Sequence, residues 1–105
     1  MAESLDTCLA SATEPIVIFS YAGCPFCRKV EGALAEAKLP FKVIDFDADL
    51  DDGQTVHNEI HAKHKQKSVP LVFVKGKFIG GCNDGPEEWM GTMPLLKSGK
   101  LAAML

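Results

Sequence analysis

Apolar positions along the chain come in short runs separated by turn residues, and the spacing inside each run predicts its element. In residues 3–12, Leu5, Cys8, Leu9 and Ala12 fall on one stripe, which predicts a short helix. Residues 15–20, Pro-Ile-Val-Ile-Phe-Ser, are apolar without alternation, the pattern of a central strand covered on both faces. Over 25–38, Phe26, Val30, Ala33, Leu34 and Ala37 recur at helical spacing, and Pro40 closes the helix. Gly32 weakens that helix by about 1 kcal/mol relative to Ala. Residues 41–46 predict a second strand. A helix over 52–66 has only Val56 and Ile60 as strong apolar anchors. Two strands, 70–74 and 77–79, flank a short link containing Gly76 and predict an antiparallel hairpin. Residues 85–105 predict helix, broken near Gly91 and Pro94.

The element order is then α-β-α-β-α-β-β-α. A helix joins the first two strands, so they are expected to be parallel with a right-handed crossover. The last two are expected to be antiparallel. An α/β fold follows, a four-stranded mixed sheet flanked by helices on both faces. The 105 residues predict a single domain over 1–105.

Composition narrows the classes. At 47% hydrophobic and 24% charged the chain reads as globular, not disordered or fibrous. A net charge of −3 carries no basic surplus, so no nucleic-acid partner is expected. No apolar run approaches the ~18–20 residues of a membrane span, and no membrane partner is expected. The first fourteen residues hold Glu3, Asp6 and Glu14 and no Lys or Arg. Neither a secretory nor a transit signal is expected there, which points to a cytoplasmic setting. Four cysteines are too few for a disulfide-stapled secreted domain, which leaves redox or metal chemistry for them.

The strongest chemical signal is Cys24-Pro25-Phe26-Cys27, between a buried strand and an amphipathic helix. Proline is favoured at the first helical position, which makes Cys24 the N-cap. Its sulfur then lies near the free N–H groups of Phe26 and Cys27, at the positive end of the helix dipole. Arg28 and Lys29 are the formal charges nearby in sequence, and both are positive. All of this favours a thiolate on Cys24. Cys27 lies over the same face of the first turn, within reach of a disulfide.

Two blander uses compete with this one, inert core cysteines and a metal site. A Cys-x-x-Cys can be half of a zinc site, with Cys8, Cys82, His57, His61 and His64 as the other possible ligands. The 29 residues between Cys27 and His57 exceed the ~12–15 usual in a zinc finger, so no metal is expected. His57, His61 and His64 share helical spacing, but Lys63, Lys65 and Lys67 surround them, and a solvated face is the expectation.

Three motifs in order resemble a dithiol glutaredoxin: Cys24-Pro25-Phe26-Cys27, Ser68-Val69-Pro70, and Gly80-Gly81-Cys82-Asn83-Asp84. The resemblance implies a thioredoxin-like fold in which Pro70 is cis. It implies that the backbone of Val69 pairs with the cysteinyl part of glutathione and that Cys82, Asn83 and Asp84 hold the γ-glutamyl end. Independently of the resemblance, Asp84 followed by Glu87 is a possible capping box at a helix start, where exposed N–H groups suit a carboxylate. Lys67 remains as a positive charge beside the second motif.

The chain also departs from the family pattern. Tyr21 stands where relatives commonly carry a lysine facing the glycyl carboxylate. His61 is aligned, loosely, with a common glutamine. Ser68 replaces a commoner Thr, and residues 85–97, with Trp89, form a longer stretch than usual.

The expected function is glutathione-dependent thiol–disulfide exchange, with Cys24 as nucleophile, Cys27 as resolving thiol and glutathione as reducing co-substrate. A related low-molecular-weight dithiol, such as a glutathione–polyamine conjugate, is the alternative reductant. Disulfide-bonded or glutathionylated proteins are the expected partners of a monomer. The rival reading is a carrier in which two chains hold one [2Fe–2S] cluster through each Cys24 and two glutathiones. Pro25 stiffens the loop and argues against it.

Overall fold

The computed structural model describes residues 4–66, 68–82 and 91–105. In chain order these form α1 (Leu5–Ser11), β1 (Ile16–Ser20), α2 (Pro25–Glu36), β2 (Phe41–Asp45), α3 (Gly53–His64), β3 (Leu71–Val74), β4 (Lys77–Gly80), α4 (Thr92–Ser98) and α5 (Lys100–Ala103). Among the described residues the strands make one mixed sheet in the order β2-β1-β3-β4. β1 pairs parallel with β2 and antiparallel with β3, and β3 turns back antiparallel into β4.

β1 has no polar alternation because both of its faces are covered. Val17 and Phe19 join Leu71 and Phe73 beneath Leu5 and Cys8 of α1 and Val56 and Ile60 of α3. Ile16 and Ile18 join Val72 and Val74 beneath Val30 and Leu34 of α2, Leu95 of α4 and Leu101 of α5. A strand buried on both faces needs apolar side chains at every position, and β1 is fully buried. Ser4 caps α1 and forms a reciprocal capping box with Thr7. The Leu5 amide donates to Glu59 Oε1 at 2.7 Å, tying α1 to α3.

The structure corrects three expectations. The buried stripe of α2 runs through Cys27, Val30 and Leu34, whereas Phe26 points outward at 57% exposure. Pro94 does not break the C-terminal helix. It lies in the first turn of α4, where its missing N–H removes no helical bond. The break falls at Gly99, which closes α4 in the left-handed conformation that favours glycine. Finally, the histidines of α3 do not share one solvated face. His57 stacks on Phe46 at 4.6 Å and His64 on Phe78 at 4.7 Å, and only His61 of the three is exposed.

Candidate active site

β1 stops at Ser20, and four residues, 21–24, carry the chain to α2. Gly23 takes a φ of 81°, a conformation open to glycine without strain, and turns the chain into the helix. Cys24 is the N-cap with extended backbone, and Pro25 occupies the first turn. The Cys27 amide donates to Cys24 Sγ at 3.2 Å. The two cysteines are joined in a disulfide with their Cα atoms 5.2 Å apart. They are not equivalent: Cys24 is partly exposed, whereas Cys27 is fully buried beneath it. An incoming sulfur can therefore reach Cys24 first.

The local charges are more mixed than the neighbouring sequence implies. Arg28 pairs with Glu31 at 3.2 Å, so its charge is shared. Asp45 stands at the end of β2, paired in register with Ser20. Its carboxyl is held below the usual range chiefly by the backbone amides of Ala48 and Asp47. Those amides donate to Oδ1 at 2.9 and 2.8 Å.

Antiparallel pairing of Phe19 with Leu71 brings the chain before β3 alongside the end of β1. The Val69–Pro70 peptide in that segment is cis. Cys24 Sγ lies 3.9 Å from the Val69 carbonyl oxygen. Val69 and Tyr21 both pack partly buried against the core layer under α3. The Tyr21 ring rests on Phe46 at 5.1 Å, and its hydroxyl meets His57 Nδ1 at 3.1 Å. Burial, with Asp47 and Asp45 adding, holds that hydroxyl above its ordinary pKa.

The structure thus brings together Cys24, Cys27, Val69, Pro70 and Tyr21. Cys82 is buried in the opposite core layer, and its carbonyl accepts the Met93 amide at 2.8 Å. Lys67, Asn83 and Asp84, together with Glu87 and Trp89, lie outside the described residues. Sequence reasoning considered His57 only as a possible metal ligand on a solvated face, and it missed Asp45. Counting residues along two parallel strands would have found Asp45, because Ser20 pairs with it. His57, one turn before His61, is the α3 residue that reaches the loop. A hollow of about 510 Å³ lies elsewhere, lined by residues that include Cys8, Lys42, Ile44 and Leu50, none of them in the redox turn.

Comparison with known proteins places these features in a family context. The glutaredoxin family model matches residues 16–79. A chloroplastic glutaredoxin-C4 of Oryza sativa subsp. japonica is 38% identical over 94 residues, covering 90% of this chain and 65% of the rice protein. The chain thus spans less than two thirds of that relative's length. Glutaredoxin-2 of Schizosaccharomyces pombe is 33% identical over 75 residues, 71% of this chain and 67% of the yeast protein. A crystal structure of wheat glutaredoxin superposes with a TM-score of 0.81 at 38% identity, covering 96% of this chain and 84% of that one. A buckwheat glutaredoxin–glutathione complex gives 0.74 at 28% identity, covering 100% and 93%.

Proposed function

This chain belongs to the glutaredoxin family, and on that premise we propose that it is a glutathione-dependent thiol–disulfide oxidoreductase acting on disulfide-bonded and glutathionylated proteins. One observation carries the reading. A partly exposed Cys24 at a helix N-terminus, beside the Val69 carbonyl, is disulfide-bonded to a fully buried Cys27.

The cycle follows from that asymmetry. The Cys24 thiolate attacks one sulfur of a glutathionylated protein. A Cys24–glutathione bond forms, the old disulfide breaks, and the departing protein thiolate takes a proton from water. Two routes then regenerate the enzyme. A glutathione thiolate attacks the glutathione sulfur and expels Cys24. Alternatively, Cys27 attacks Cys24 Sγ and expels glutathione, giving the disulfide seen here, which two further glutathiones reduce.

Magnitudes show what an acidic Cys24 is for. A pKa lowered from about 8.5 to about 5 raises the thiolate fraction at pH 7 roughly thirty-fold. Nucleophilicity falls with pKa at a coefficient of about 0.4–0.5, which over that range cancels most of the gain. The net benefit lies in the leaving group, because a low-pKa thiol departs faster. Both routes require Cys24 to leave.

Val69, Tyr21, Lys67, Cys82, Asn83 and Asp84 are the proposed glutathione contacts. The buckwheat neighbour is a glutathione complex, which supports the choice of co-substrate. The proposed setting is a monomer in a compartment that keeps thiols reduced, such as the cytoplasm. Cys8 and Cys82, buried thiols outside the disulfide, are consistent with such a compartment. The test is a glutathione-coupled assay on a small mixed disulfide. Turnover should require glutathione and vanish in Cys24→Ser. Turnover that persists in Cys24→Ser, or that proceeds equally without a small thiol, overturns the reading.

A further inference from the structure

Ser20 closes β1 and is fully buried. Its hydroxyl nevertheless has no hydrogen-bond partner among the described residues. Buried polar groups in folded proteins are nearly all hydrogen-bonded, so an orphan of this kind asks for a reason. Its place in the fold supplies one. Side chains alternate along a strand, so Ser20 shares a face with Ile16 and Ile18, which pack under α2. The buried stripe of α2 begins at Cys27 and continues through Val30 and Leu34. Four residues join Ser20 to α2, so the first turn of that helix lies over this end of the strand. The β1–β3 register reaches the same spot from the side. Phe19 pairs with Leu71, which sets Ser20 level with Pro70 and next to Val69. The Val69 carbonyl oxygen is 3.9 Å from Cys24 Sγ. Both approaches set Ser20 beneath the Cys24–Cys27 bridge.

We propose that Ser20 is a positioning residue whose hydroxyl donates a hydrogen bond to the Cys27 sulfur once that bridge is opened. The inference rests on the reading of Cys24 and Cys27 as a reversible redox pair. In the oxidised protein the Cys27 sulfur is bonded to Cys24, and the hydroxyl is left over. In the reduced protein the two thiols differ in what they can find. Cys24 is partly exposed and already receives the Cys27 amide at 3.2 Å. Cys27 is fully buried and must find its partner inside the protein. Ser20 is the orphaned hydroxyl at that end of the layer. Thr92, the other fully buried hydroxyl without a partner among the described residues, starts α4 with its amide on the Gly81 carbonyl, beyond β4.

The consequence is a bias in the redox equilibrium. Reduction breaks the Cys24–Cys27 bond, and two small thiols join into a disulfide. Two electrons pass to the pair, and the two thiol protons go to the cysteines or, where Cys24 stays ionised, to water. Ser20 changes no covalent bond. Its hydroxyl destabilises the disulfide form while orphaned and stabilises the dithiol form through the new hydrogen bond. Both effects favour the dithiol.

Ser20→Ala is the direct test, in buffers of 2-mercaptoethanol and its disulfide, which call for no glutathione recognition. Acid-quenched samples are read by mass. The ratio of dithiol to disulfide at a fixed buffer composition should fall about three- to tenfold, the scale of one buried hydrogen bond. Thr92→Val removes a comparable hydroxyl away from the bridge and should leave the ratio in place. Melting temperatures of the two oxidation states give a second readout. Ser20→Ala should raise that of the disulfide form and lower that of the dithiol form, whereas a merely structural role moves both the same way. An unchanged or raised dithiol ratio in Ser20→Ala overturns the proposal, as does an equal fall in Thr92→Val. Melting temperatures that shift together overturn it too. A wild-type bridge that stays closed in every buffer overturns the redox reading itself, and the proposal with it.

Discussion

The Tyr21 hydroxyl lies 3.1 Å from His57 Nδ1, and the rings of both residues pack on Phe46. This contact fastens the loop before Cys24 to α3, across 36 residues of sequence. Tyr21→Phe removes the hydrogen bond and keeps the ring, and should cost about 0.5–1.5 kcal/mol of stability. In a double-mutant cycle with His57→Phe, urea unfolding should show a coupling of about 1 kcal/mol. Strict additivity would mean that the contact contributes nothing. The contribution has a pH limit. The folded phenol ionises above its ordinary value, so the unfolded phenol loses its proton first. The stabilisation is present below about pH 10 and is lost as pH rises through the folded value.

The two cysteines should separate by substrate. Cys27→Ser should retain deglutathionylation of a glutathionylated peptide within about tenfold, because that route uses Cys24 and free glutathione alone. It should fail on a protein disulfide that must be resolved by an internal thiol. Steady-state rates on the two substrates decide this. A Cys27→Ser enzyme as inactive as Cys24→Ser on the glutathionylated peptide would exclude the one-cysteine route.

Two glycines in helical segments should respond with opposite signs. A Cβ at Gly53 would collide with the backbone carbonyl of Phe46, the residue on which Tyr21 and His57 rest. Gly53→Ala should destabilise by about 1–3 kcal/mol, the range of forced overpacking. Gly32 has open space at the same position, on the exposed side of α2. Gly32→Ala should stabilise by about 0.5–1 kcal/mol. Chemical denaturation midpoints of both variants provide the check, and equal signs would contradict it.

His64 gives the fold an acid-side sensitivity. Burial against Phe73 and Phe78, with Lys63 adding, holds its pKa below the ordinary value. As pH falls, the unfolded imidazole takes up a proton before the folded one does. Stability from this group is therefore complete above about pH 6.5 and declines as pH drops toward the folded value. His64→Phe should flatten the fall in melting temperature between about pH 7.5 and 5.5, whereas His61→Phe, at an exposed position, should leave it in place. Parallel slopes for the two variants would show that His64 is not the sensor.

Much of the candidate site is local, and local features are legible. Cys24 and Cys27 sit three residues apart beside Pro25, so the N-cap, the helix start and the reach of a disulfide follow from one turn of backbone geometry. The strand before them shows itself by apolar side chains at successive positions. The orientation of Phe26 was not legible in the same way. Its spacing fits the apolar stripe of α2, but in the folded chain Phe26 stays exposed and Cys27 takes the inward direction instead.

What the sequence determined by itself is whatever depends on neighbours along the chain: the order of elements, the parallel and antiparallel pairings, and the redox turn with its cap. Tertiary structure decided which distant residues complete that turn. Val69 reaches Cys24 because β3 pairs with β1, Asp45 stands beside Ser20 because β2 pairs with β1, and His57 reaches Tyr21 because α3 packs over Phe46. Each contact joins residues more than twenty positions apart, whose meeting depends on strand register and helix packing. Register and packing are set by the whole core minimising exposed apolar surface, and no single segment of the sequence encodes them.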